Sequence, residues 1–370
     1  MISSQSIIRT DLDQLREDLG AEVLSQLAGR RLLITGGAGF LGYYLVHTVA
    51  DWNLNSAPAD RIDLIVCDNL VRGTPAWLAR IEKAPSVRLV VADASQPLSG
   101  DLGPFDWIIH AAGIASPMVY RRLPLETMDA NINGLRWLLE MARNQADRGH
   151  PLQGFLFYSS SEIYGDPVPE AIPTPEDYRG NVSCTGPRAC YDESKRYGET
   201  LCVVFARQYG VRAMMARPFN NYGPGLRIDD GRVIPDFSRA ILEGRDVVMH
   251  SDGSPKRTFC YSADAVAGYY RVLVKGRAGE PYNIGVETPE VSMKELANRL
   301  SSTAKTLFGY QGKVVTEPSA EADYLVDNPQ RRCPIITKAR TELGYRPKVE
   351  LDEGLRRSLL WYREQQNGDA

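Results

Sequence analysis

The sequence predicts an α/β protein in which a doubly wound parallel sheet, with helices on both faces, is followed by a smaller C-terminal lobe. Between about residues 30 and 165, short apolar runs alternate with helical patterns, which is the arrangement that such a sheet requires. After Val211 the spacing loosens and Pro/Gly turns multiply. We therefore expect a domain over residues 30–215 that is mainly sheet, and a lobe over 216–370 with segments that return to that domain.

A glycine-rich turn follows the first apolar run, residues 31–34, and leads into a helical pattern. Gly36 permits a tight turn, Gly39 lets the backbone approach a pyrophosphate, and Gly42 lets the helix pack closely on the strand. The helix N-terminus offers unpaired N–H groups to the phosphates. The turn is typical of a Rossmann-like domain that binds a dinucleotide. Its expected cofactor contacts are Gly36, Gly39, Phe40 and Leu41.

Further strands end in residues that suit the same cofactor. The second ends in Asp68, whose carboxylate can accept hydrogen bonds from the adenosine ribose and would repel the extra phosphate of NADP. NAD is therefore the predicted cofactor, although Arg72 lies close by in the sequence. The third strand leads into an aspartate, and the fourth leads into small residues that leave room for the cofactor. The other contacts expected at these strand ends are Asn69, Gly73, Asp93 and Ala112.

The first 29 residues precede the sheet and have the pattern of a helical extension. Six apolar residues in this segment fall near helical spacing. These residues are Leu12, Leu15, Leu19, Val23, Leu24 and Leu27. We expect the extension to pack on the body of the protein or on a partner chain.

Composition narrows the functional class. The 370 residues carry a formal net charge of −3 without a dense Lys/Arg stripe, which argues against nucleic acid as a partner. No apolar run approaches 18 residues and the N-terminal residues lack a signal pattern, so no membrane association is expected. The six cysteines and four histidines are scattered, which favours free thiols in a reducing cytoplasm and no metal site. We expect a small substrate to bind in a cleft between the sheet domain and the lobe.

A tyrosine and a lysine stand four residues apart in a predicted helix. Tyr191 and Lys195 therefore lie on one helix face, where the nearby cation favours the phenolate. Tyr191 can then act as an acid or base toward an alcohol, while Lys195 holds the nicotinamide ribose. Ser160 stands 31 residues earlier, directly after the strand 154–158, and its hydroxyl can bind the same alcohol.

The serine run 159–161 is followed by a glutamate. Glu162 would lie at the carboxyl edge of a parallel sheet beside the cofactor, where a carboxylate is partly desolvated. We therefore expect Glu162 to take part in acid–base or electrostatic work.

These motifs together resemble the extended short-chain dehydrogenase/reductase family, over about residues 30 to 363. Within that family the match is closest to the UDP-glucuronate decarboxylases. Two stretches carry it most specifically: residues 160–167, Ser-Ser-Glu-Ile-Tyr-Gly-Asp-Pro, and residues 186–196, Gly-Pro-Arg-Ala-Cys-Tyr-Asp-Glu-Ser-Lys-Arg. Shorter matches are Asp-Gly-Arg-Val at 230–233, the segment 253–259 and the segment 328–332.

The resemblance implies a lyase that oxidises the sugar C4, releases CO2 and reduces C4 again with bound NAD. It assigns the C4 hydroxyl to Tyr191, with Lys195 and Ser160 in support. The remaining implied contacts are Ser161, Glu162 and Arg257 at the C5/C6 end, Tyr120 near the sugar carboxylate, and Asn220, Arg232 and Arg332 as substrate-binding residues. It also implies a homodimer that acts on a UDP-sugar.

The chain departs from the family pattern at several positions. Tyr43-Tyr44 replaces the usual Ser-His, Pro218 replaces an aliphatic residue, and Gly225 stands where an arginine is frequent. Ile335 follows Pro334 where aspartate is common.

Other functions remain open from the sequence. A UDP-sugar 4-epimerase shares the same C4 oxidation but generally lacks a carboxylate at position 162, and an apiose synthase shares the decarboxylated intermediate. The 4,6-dehydratases need an Asp-Glu pair where this chain has Ser161-Glu162. An NAD(H)-binding regulatory protein is the non-enzyme alternative, although such proteins typically lose the Tyr/Lys pair that is present here.

Overall fold

The computed structural model describes residues 4–81, 83–98, 102–318 and 326–367. Short apolar runs form the strands of a central sheet and of the smaller sheets beside it. The strands are β1 (Arg31–Thr35), β2 (Asp63–Asp68), β3 (Val87–Val91), β4 (Trp107–His110), β5 (Gly154–Tyr158), β6 (Ala213–Pro218), β7 (Asn221–Tyr222), β8 (Val247–Met249), β9 (Lys256–Arg257), β10 (Cys260–Tyr261), β11 (Pro281–Ile284), β12 (Val291–Ser292), β13 (Val314–Thr316) and β14 (Arg331–Arg332).

The helices lie between these strands and at both ends of the chain. They are α1 (Ser4–Leu19), α2 (Ser25–Leu27), α3 (Phe40–Leu54), α4 (Ala76–Ile81), α5 (Pro117–Arg122), α6 (Pro124–Asp147), α7 (Ala189–Tyr209), α8 (Val233–Leu242), α9 (Ser262–Lys275), α10 (Met293–Phe308), α11 (Thr337–Leu343) and α12 (Leu351–Asn367). A π-helical turn, Gly20–Leu24, joins α1 to α2, and single 3₁₀ turns occur at Pro58–Asp60, Ser161–Tyr164 and Pro169–Ala171.

The central sheet confirms the predicted doubly wound fold. Within the described residues it has seven strands in the order β11-β6-β5-β4-β1-β2-β3, and every neighbouring pair is parallel. The strand order reverses between β1 and β4, and ligands bind at such switch points beyond the carboxyl ends of the strands. The last strand, β11, comes from the C-terminal part of the chain, which therefore completes the sheet.

Alternate residues of the buried strands pack into two cores, one on each face of the sheet. Leu32, Leu64 and Leu156 belong to the core that α3 and α9 cover, whereas Leu33 and Phe155 belong to the core that α6 and α7 cover. This alternation follows from the period of two along a strand. The two cores hold the carboxyl edge of the sheet in place, and that edge carries the residues described below.

The N-terminal helix packs on the body of the protein. The six apolar residues that have helical spacing, from Leu12 to Leu27, are all buried. Asp11 is also fully buried, where its carboxylate accepts hydrogen bonds from Tyr44, Tyr261 and Arg357. Tyr44, one of the departures from the family pattern, thus binds the N-terminal helix.

The smaller sheets place the C-terminal segments over the carboxyl edge of the central sheet. β7 pairs with β10 and β8 with β13, while β9 pairs with both β12 and β14. The pairing of β9 with β14 sets Arg257 directly opposite Arg332. In the part of the chain that the structure describes, no helix is both long and apolar enough to cross a membrane.

Candidate active site

The glycine turn has the conformation expected for a close approach between strand ends. Gly36 has a φ of +72°, and a Cβ there would lie 2.6 Å from the backbone nitrogen of Ala112. Only glycine therefore fits at this position without moving the end of β4. Helix α3 begins directly after the turn, at Phe40 and Leu41, so its free N–H groups face the carboxyl edge of the sheet.

Asp68 joins the end of β2 to the glycine turn. One carboxylate oxygen accepts a hydrogen bond from the backbone N–H of Ala38 at 3.0 Å, and the other accepts one from Leu70 at 2.9 Å. These bonds fix the carboxylate, while each oxygen keeps further capacity to accept a hydrogen bond from a ribose hydroxyl.

The remaining residues predicted to contact the cofactor line the same edge. Asn69 accepts a hydrogen bond from the Val71 N–H at 3.1 Å, and Gly73 forms a turn with a φ of +85°. Asp93 follows β3 and accepts a hydrogen bond from the Ser95 N–H at 2.9 Å. The structure therefore brings the predicted dinucleotide residues together along β1 to β4.

Tyr191 and Lys195 are both buried in the first turns of α7. The Nζ atom of Lys195 donates to the backbone carbonyl of Tyr158 at 2.8 Å and lies 5.7 Å from the centre of the Tyr191 ring. Burial raises the pKa of Tyr191 to about 12, against the opposing effect of a hydrogen bond with Ser160. Burial also lowers the pKa of Lys195 to about 7. Burial thus favours the neutral form of both side chains, which opposes the phenolate that the sequence predicts beside Lys195.

The serine run divides into different roles. Ser159 donates to Glu199 at 2.5 Å, and the Nε and Nη2 atoms of Arg217 donate to the two carboxylate oxygens of Glu199. Ser159 therefore helps to hold the end of β5 against α7 and β6. Ser160 caps the 3₁₀ turn by accepting a hydrogen bond from the Glu162 N–H at 3.1 Å. Ser160 and Ser161 are both buried next to the carboxyl end of β5.

Glu162 is fixed between two buried arginines. Arg332 binds both of its oxygens at 2.5 Å, and Arg188 binds one of them. Burial tends to raise the pKa of Glu162, but the charges of Arg188 and Arg332 outweigh it and hold the pKa well below its usual range. Of the acid–base or electrostatic work expected of Glu162, this geometry favours the electrostatic part, because a carboxylate held by two guanidinium groups stays charged near neutral pH.

Arg257 is a buried cation that has no ion-pair partner among the described residues. Its guanidinium donates only to neutral oxygens, namely the backbone carbonyls of Lys256, Gln330 and Pro329 and the side chain of Asn328. Burial, together with the nearby charge of Arg332, lowers the pKa of Arg257 to about 9. An anion that entered beside β9 would relieve this unbalanced charge.

Tyr120 brings a second aromatic ring to Tyr191. The two rings stack with centroids 5.1 Å apart and an interplanar angle of 10°. The Tyr120 hydroxyl is buried without a hydrogen-bond partner among the described residues, and burial raises its pKa. A buried hydroxyl of this kind is available to a ligand.

The predicted nucleotide-binding residues lie further along the cleft. Asn220 has a φ of +41°, and its side-chain amide donates to the Thr258 carbonyl at 2.9 Å. Arg232 pairs with Asp230 at 3.2 Å, and its guanidinium lies 5.8 Å from the centre of the Phe40 ring. Arg232 is thus beside the glycine turn, whereas Arg332 is occupied by Glu162.

Two residues of this site were not among the predicted ones. Arg188 binds Glu162, and its Nε atom lies 3.8 Å from a carboxylate oxygen of Asp192. Burial and the charge of Glu162 raise the pKa of Asp192. Their i, i+4 spacing within the stretch 186–196 is the sequence feature that could have indicated a charged pair on one helix face.

Comparison with known proteins agrees with this geometry. The sequence model of the NAD dependent epimerase/dehydratase family matches residues 32–285. UDP-glucuronic acid decarboxylase 5 of Arabidopsis thaliana is 38% identical over 328 residues, which cover 88% of this chain and 87% of the relative. UDP-glucuronic acid decarboxylase 1 of Xenopus tropicalis is 34% identical over 342 residues, covering 92% of this chain and 74% of the relative.

Solved structures show the same fold. A dTDP-glucose 4,6-dehydratase double mutant from Streptomyces venezuelae, crystallised with NAD, is 27% identical with a TM-score of 0.77 and covers 91% of this chain and 98% of its own. The UDP-glucose 4-epimerase of Thermotoga maritima, crystallised with UDP-glucose, is 26% identical with a TM-score of 0.74. The match covers 91% of this chain and 99% of the epimerase chain.

Proposed function

Because the chain belongs to the NAD dependent epimerase/dehydratase family, we propose that it converts UDP-glucuronate to UDP-xylose and CO2. The relatives named above as UDP-glucuronic acid decarboxylases support this substrate. In the proposed reaction the C4 alcohol is oxidised to a ketone, which stands β to the C6 carboxylate. The C5–C6 bond then breaks, its electron pair moves toward the C4 oxygen, and C5 gains a proton. NAD supplies the acceptor for the C4 hydride and returns that hydride at the end, so no net oxidation results.

The observation that carries the proposal is the unbalanced charge of Arg257. This guanidinium is buried with only neutral acceptors, opposite Arg332 and next to the ion pairs of Glu162. A uronate carboxylate supplies the missing negative charge, and an Arg–carboxylate pair would also orient the C5–C6 bond. In a simple 4-epimerase or 4,6-dehydratase the sugar carries no carboxylate, so only the nucleotide diphosphate could compensate Arg257. The assignment of Arg257 to a uronate therefore rests on its place beside the Glu162 ion pairs.

Tyr191 takes the proton from the C4 hydroxyl in this scheme. The phenolate is costly in the unliganded site, because burial raises the pKa of Tyr191 to about 12. A protonated Lys195 would favour the phenolate, and Ser160 would donate to the oxygen that develops negative charge at C4. The same phenol returns the proton when C4 is reduced again.

Glu162 has an electrostatic role in this scheme. Its charge holds Arg188 and Arg332 in place at the C5/C6 end of the proposed sugar site. The proton for C5 then comes from another group or from water, because a carboxylate with a depressed pKa is a poor acid near neutral pH.

The proposal includes a homodimer and a cytoplasmic location. Leu125 and Met128 on α6 and Tyr197 on α7 are exposed on adjacent helices, which supports an interface there. The six cysteines are free, which supports a reducing compartment.

The deciding experiment incubates the protein with NAD and UDP-glucuronate and follows evolved CO2 and product mass. The expected product is a UDP-pentose with the mass of UDP-xylose, formed without net NADH. An unchanged mass with inversion at C4 would identify a 4-epimerase, and a branched pentose would identify an apiose synthase. Arg257→Met, which keeps an unbranched apolar stem but removes the charged guanidinium, should abolish CO2 release while the protein still binds UDP.

A further inference from the structure

The segment 225–232, called the strap here, lies across the carboxyl edge of the central sheet. At its start, a Cβ on Gly225 would lie 2.5 Å from Cβ of Tyr43 and 2.8 Å from the Phe40 carbonyl oxygen, so the strap touches the first turn of α3. Near its end, the backbone carbonyl of Asp230 accepts a hydrogen bond from Ser116 at 3.0 Å, in the loop after β4. The strap therefore contacts the segments that follow both strands of the topological switch point, β1 and β4.

Arg72 ties the strap to a third strand end. It lies in the loop between β2 and α4, which begins with Asp68. Its guanidinium lies 3.0 Å from a carboxylate oxygen of Asp230 and 3.5 Å from one of Asp229. Its backbone carbonyl accepts a hydrogen bond from Arg227 at 2.9 Å. Side chains and backbone of the two segments are thus joined at three points.

These contacts connect three segments around the predicted cofactor residues. The strap contacts the start of α3 at Phe40 and the β2–α4 loop at Arg72, and Asp68 at the end of β2 binds the Ala38 N–H of the glycine turn. The glycine turn and Asp68 are the two places where the dinucleotide is expected to bind. The position of Gly225 explains one departure from the family pattern, because Tyr43 occupies the space that a larger residue would need.

We propose that Arg72 is a positioning residue for the cofactor, which closes the strap over bound NAD and slows its release. A reaction that returns the hydride to the sugar does not need to exchange NAD between turnovers, so slow release costs no activity. The inference goes beyond the proposed substrate, because it holds for any reaction of this type.

The contacts of Arg72 distinguish this role from direct phosphate binding. Its guanidinium faces the buried Asp230 and the half-exposed Asp229, which also pair with Arg232 and Arg227, so its donors are engaged although the two carboxylates serve three arginines. An arginine that served as a ligand for the cofactor phosphates would be expected to keep its donors free. Asp229 is also bound by both ends of Arg227, so the strap keeps its own shape when Arg72 is changed.

The test measures the rate at which bound NADH dissociates from the protein. Excess NAD is added to displace NADH, no sugar nucleotide is present, and the loss of bound NADH is followed by its fluorescence. Arg72→Met and Asp229→Asn should each speed dissociation, by about three- to tenfold for Arg72→Met, as expected for a partly buried ion pair. The double variant should exceed Arg72→Met only by the effect of losing the Asp229–Arg227 pair, because the contact between Arg72 and Asp229 is already absent. Arg72→Lys should fall between the wild-type protein and Arg72→Met.

A matched control is Arg245→Met, which breaks an exposed pair with Glu243 outside the strap and should leave dissociation unchanged. The thermal midpoints of all variants are recorded, because a merely structural role would lower the midpoint without a specific effect on NADH release. An unchanged dissociation rate in folded Arg72→Met would overturn the proposal. So would slower dissociation in Asp229→Asn, since weakening the hold on Arg72, which keeps its contact with Asp230, slows release only if Arg72 binds the cofactor itself. Since no sugar is present, failure of the proposed decarboxylation leaves this outcome unaffected.

Discussion

Arg332 binds both carboxylate oxygens of Glu162, with each of its Nη atoms 2.5 Å from one oxygen. Glu162 follows β5 in the central sheet, whereas Arg332 lies on β14, 170 residues further along the chain. The ion pair thus joins the C-terminal segments to the sheet at the predicted reaction site. Arg188, at the start of α7, binds the same carboxylate and completes a buried cluster of three charges.

The first prediction concerns the charge of Glu162. In Glu162→Gln the two buried arginines lose their common counterion, and losing one partner of a buried pair costs about 3–5 kcal/mol of stability. We expect the free energy of unfolding to decrease by an amount close to that range. We also expect CO2 release to fall by a larger factor than the affinity for UDP. Urea unfolding, turnover and calorimetric UDP binding measure the three quantities.

The matched control for this variant is Glu193→Gln, which removes a half-exposed partner of Arg196 on α7. Exposed pairs are worth roughly 0–1 kcal/mol, so this change should be nearly silent. Wild-type CO2 release from folded Glu162→Gln would show that the cluster is not part of the reaction site.

The second prediction is the acid dependence of the same ion pairs. The pKa of Glu162 in the folded protein lies below its ordinary value of 4.5. Below pH 4.5 the unfolded chain therefore takes up a proton that the folded protein does not, and the stabilisation is lost as pH falls through the folded pKa. Above pH 4.5 the full contribution is present. We expect the stability difference between the wild-type protein and Glu162→Gln to shrink from pH 6 to pH 3.

Unfolding curves at several pH values test this, because the titrating groups away from the cluster cancel in the difference between the two proteins. Asp192 does not cancel, since burial and the charge of Glu162 both raise its pKa. A stability difference that stays constant down to pH 3 would mean that Arg188 and Arg332 do not lower the pKa of the Glu162 carboxylate in solution.

The third prediction removes the phenol of Tyr191. Tyr191→Phe keeps the ring that stacks on Tyr120 but removes the atom that takes the C4 proton. Loss of a positioned acid–base group costs roughly 100- to 10,000-fold in rate, and NAD binding should change little. Tyr197→Phe, an exposed tyrosine on the same helix, is the control. Turnover near the wild-type rate in Tyr191→Phe would place the chemistry elsewhere.

The local parts of the fold and site could be predicted from the sequence because the signals are local. A glycine at Gly36 is required by a positive φ and by the nearness of Ala112, and both follow from the turn after β1. The spacing of Tyr191 and Lys195 places them on one helix face. The apolar period of the first 27 residues likewise predicts the buried face of the N-terminal helix.

The long-range contacts could not be predicted, because no periodicity encodes which distant side chains meet. Arg332 reaches Glu162 only because β14 pairs with β9, and both strands have two residues. Asp11 meets Tyr261 and Arg357 across 250 and 346 residues. The charge cluster at Glu162 was not predictable either: burial tends to raise its pKa, whereas Arg188 and Arg332, which lower it, stand 26 and 170 residues further along the chain.

The last prediction concerns the choice between NAD and NADP. Asp68 is held at the end of β2 by the N–H groups of Ala38 and Leu70, which fix its charge at the place where the adenosine ribose is expected to bind. Two unit charges 4 Å apart near a protein surface repel by about 4 kcal/mol, before screening by salt. We therefore expect NAD to bind at least roughly tenfold more tightly than NADP, because Arg72 is already paired with the strap. Competitive titration of the two cofactors measures the ratio.

Asp68→Asn should reduce the preference for NAD, because it weakens NAD binding and removes the repulsion of the NADP 2′-phosphate. Asp147→Asn, at the exposed end of α6, should leave the ratio of the two affinities unchanged. Combining Asp68→Asn with Asp229→Asn should reduce the preference for NAD only slightly further, since Arg72 loses one of its two partners but stays paired with the buried Asp230 at 3.0 Å. Equal affinity of the wild-type protein for NAD and NADP would contradict the placement of Asp68 at the ribose. A ratio that Asp68→Asn leaves unchanged would assign the discrimination to another residue of the β2–α4 loop.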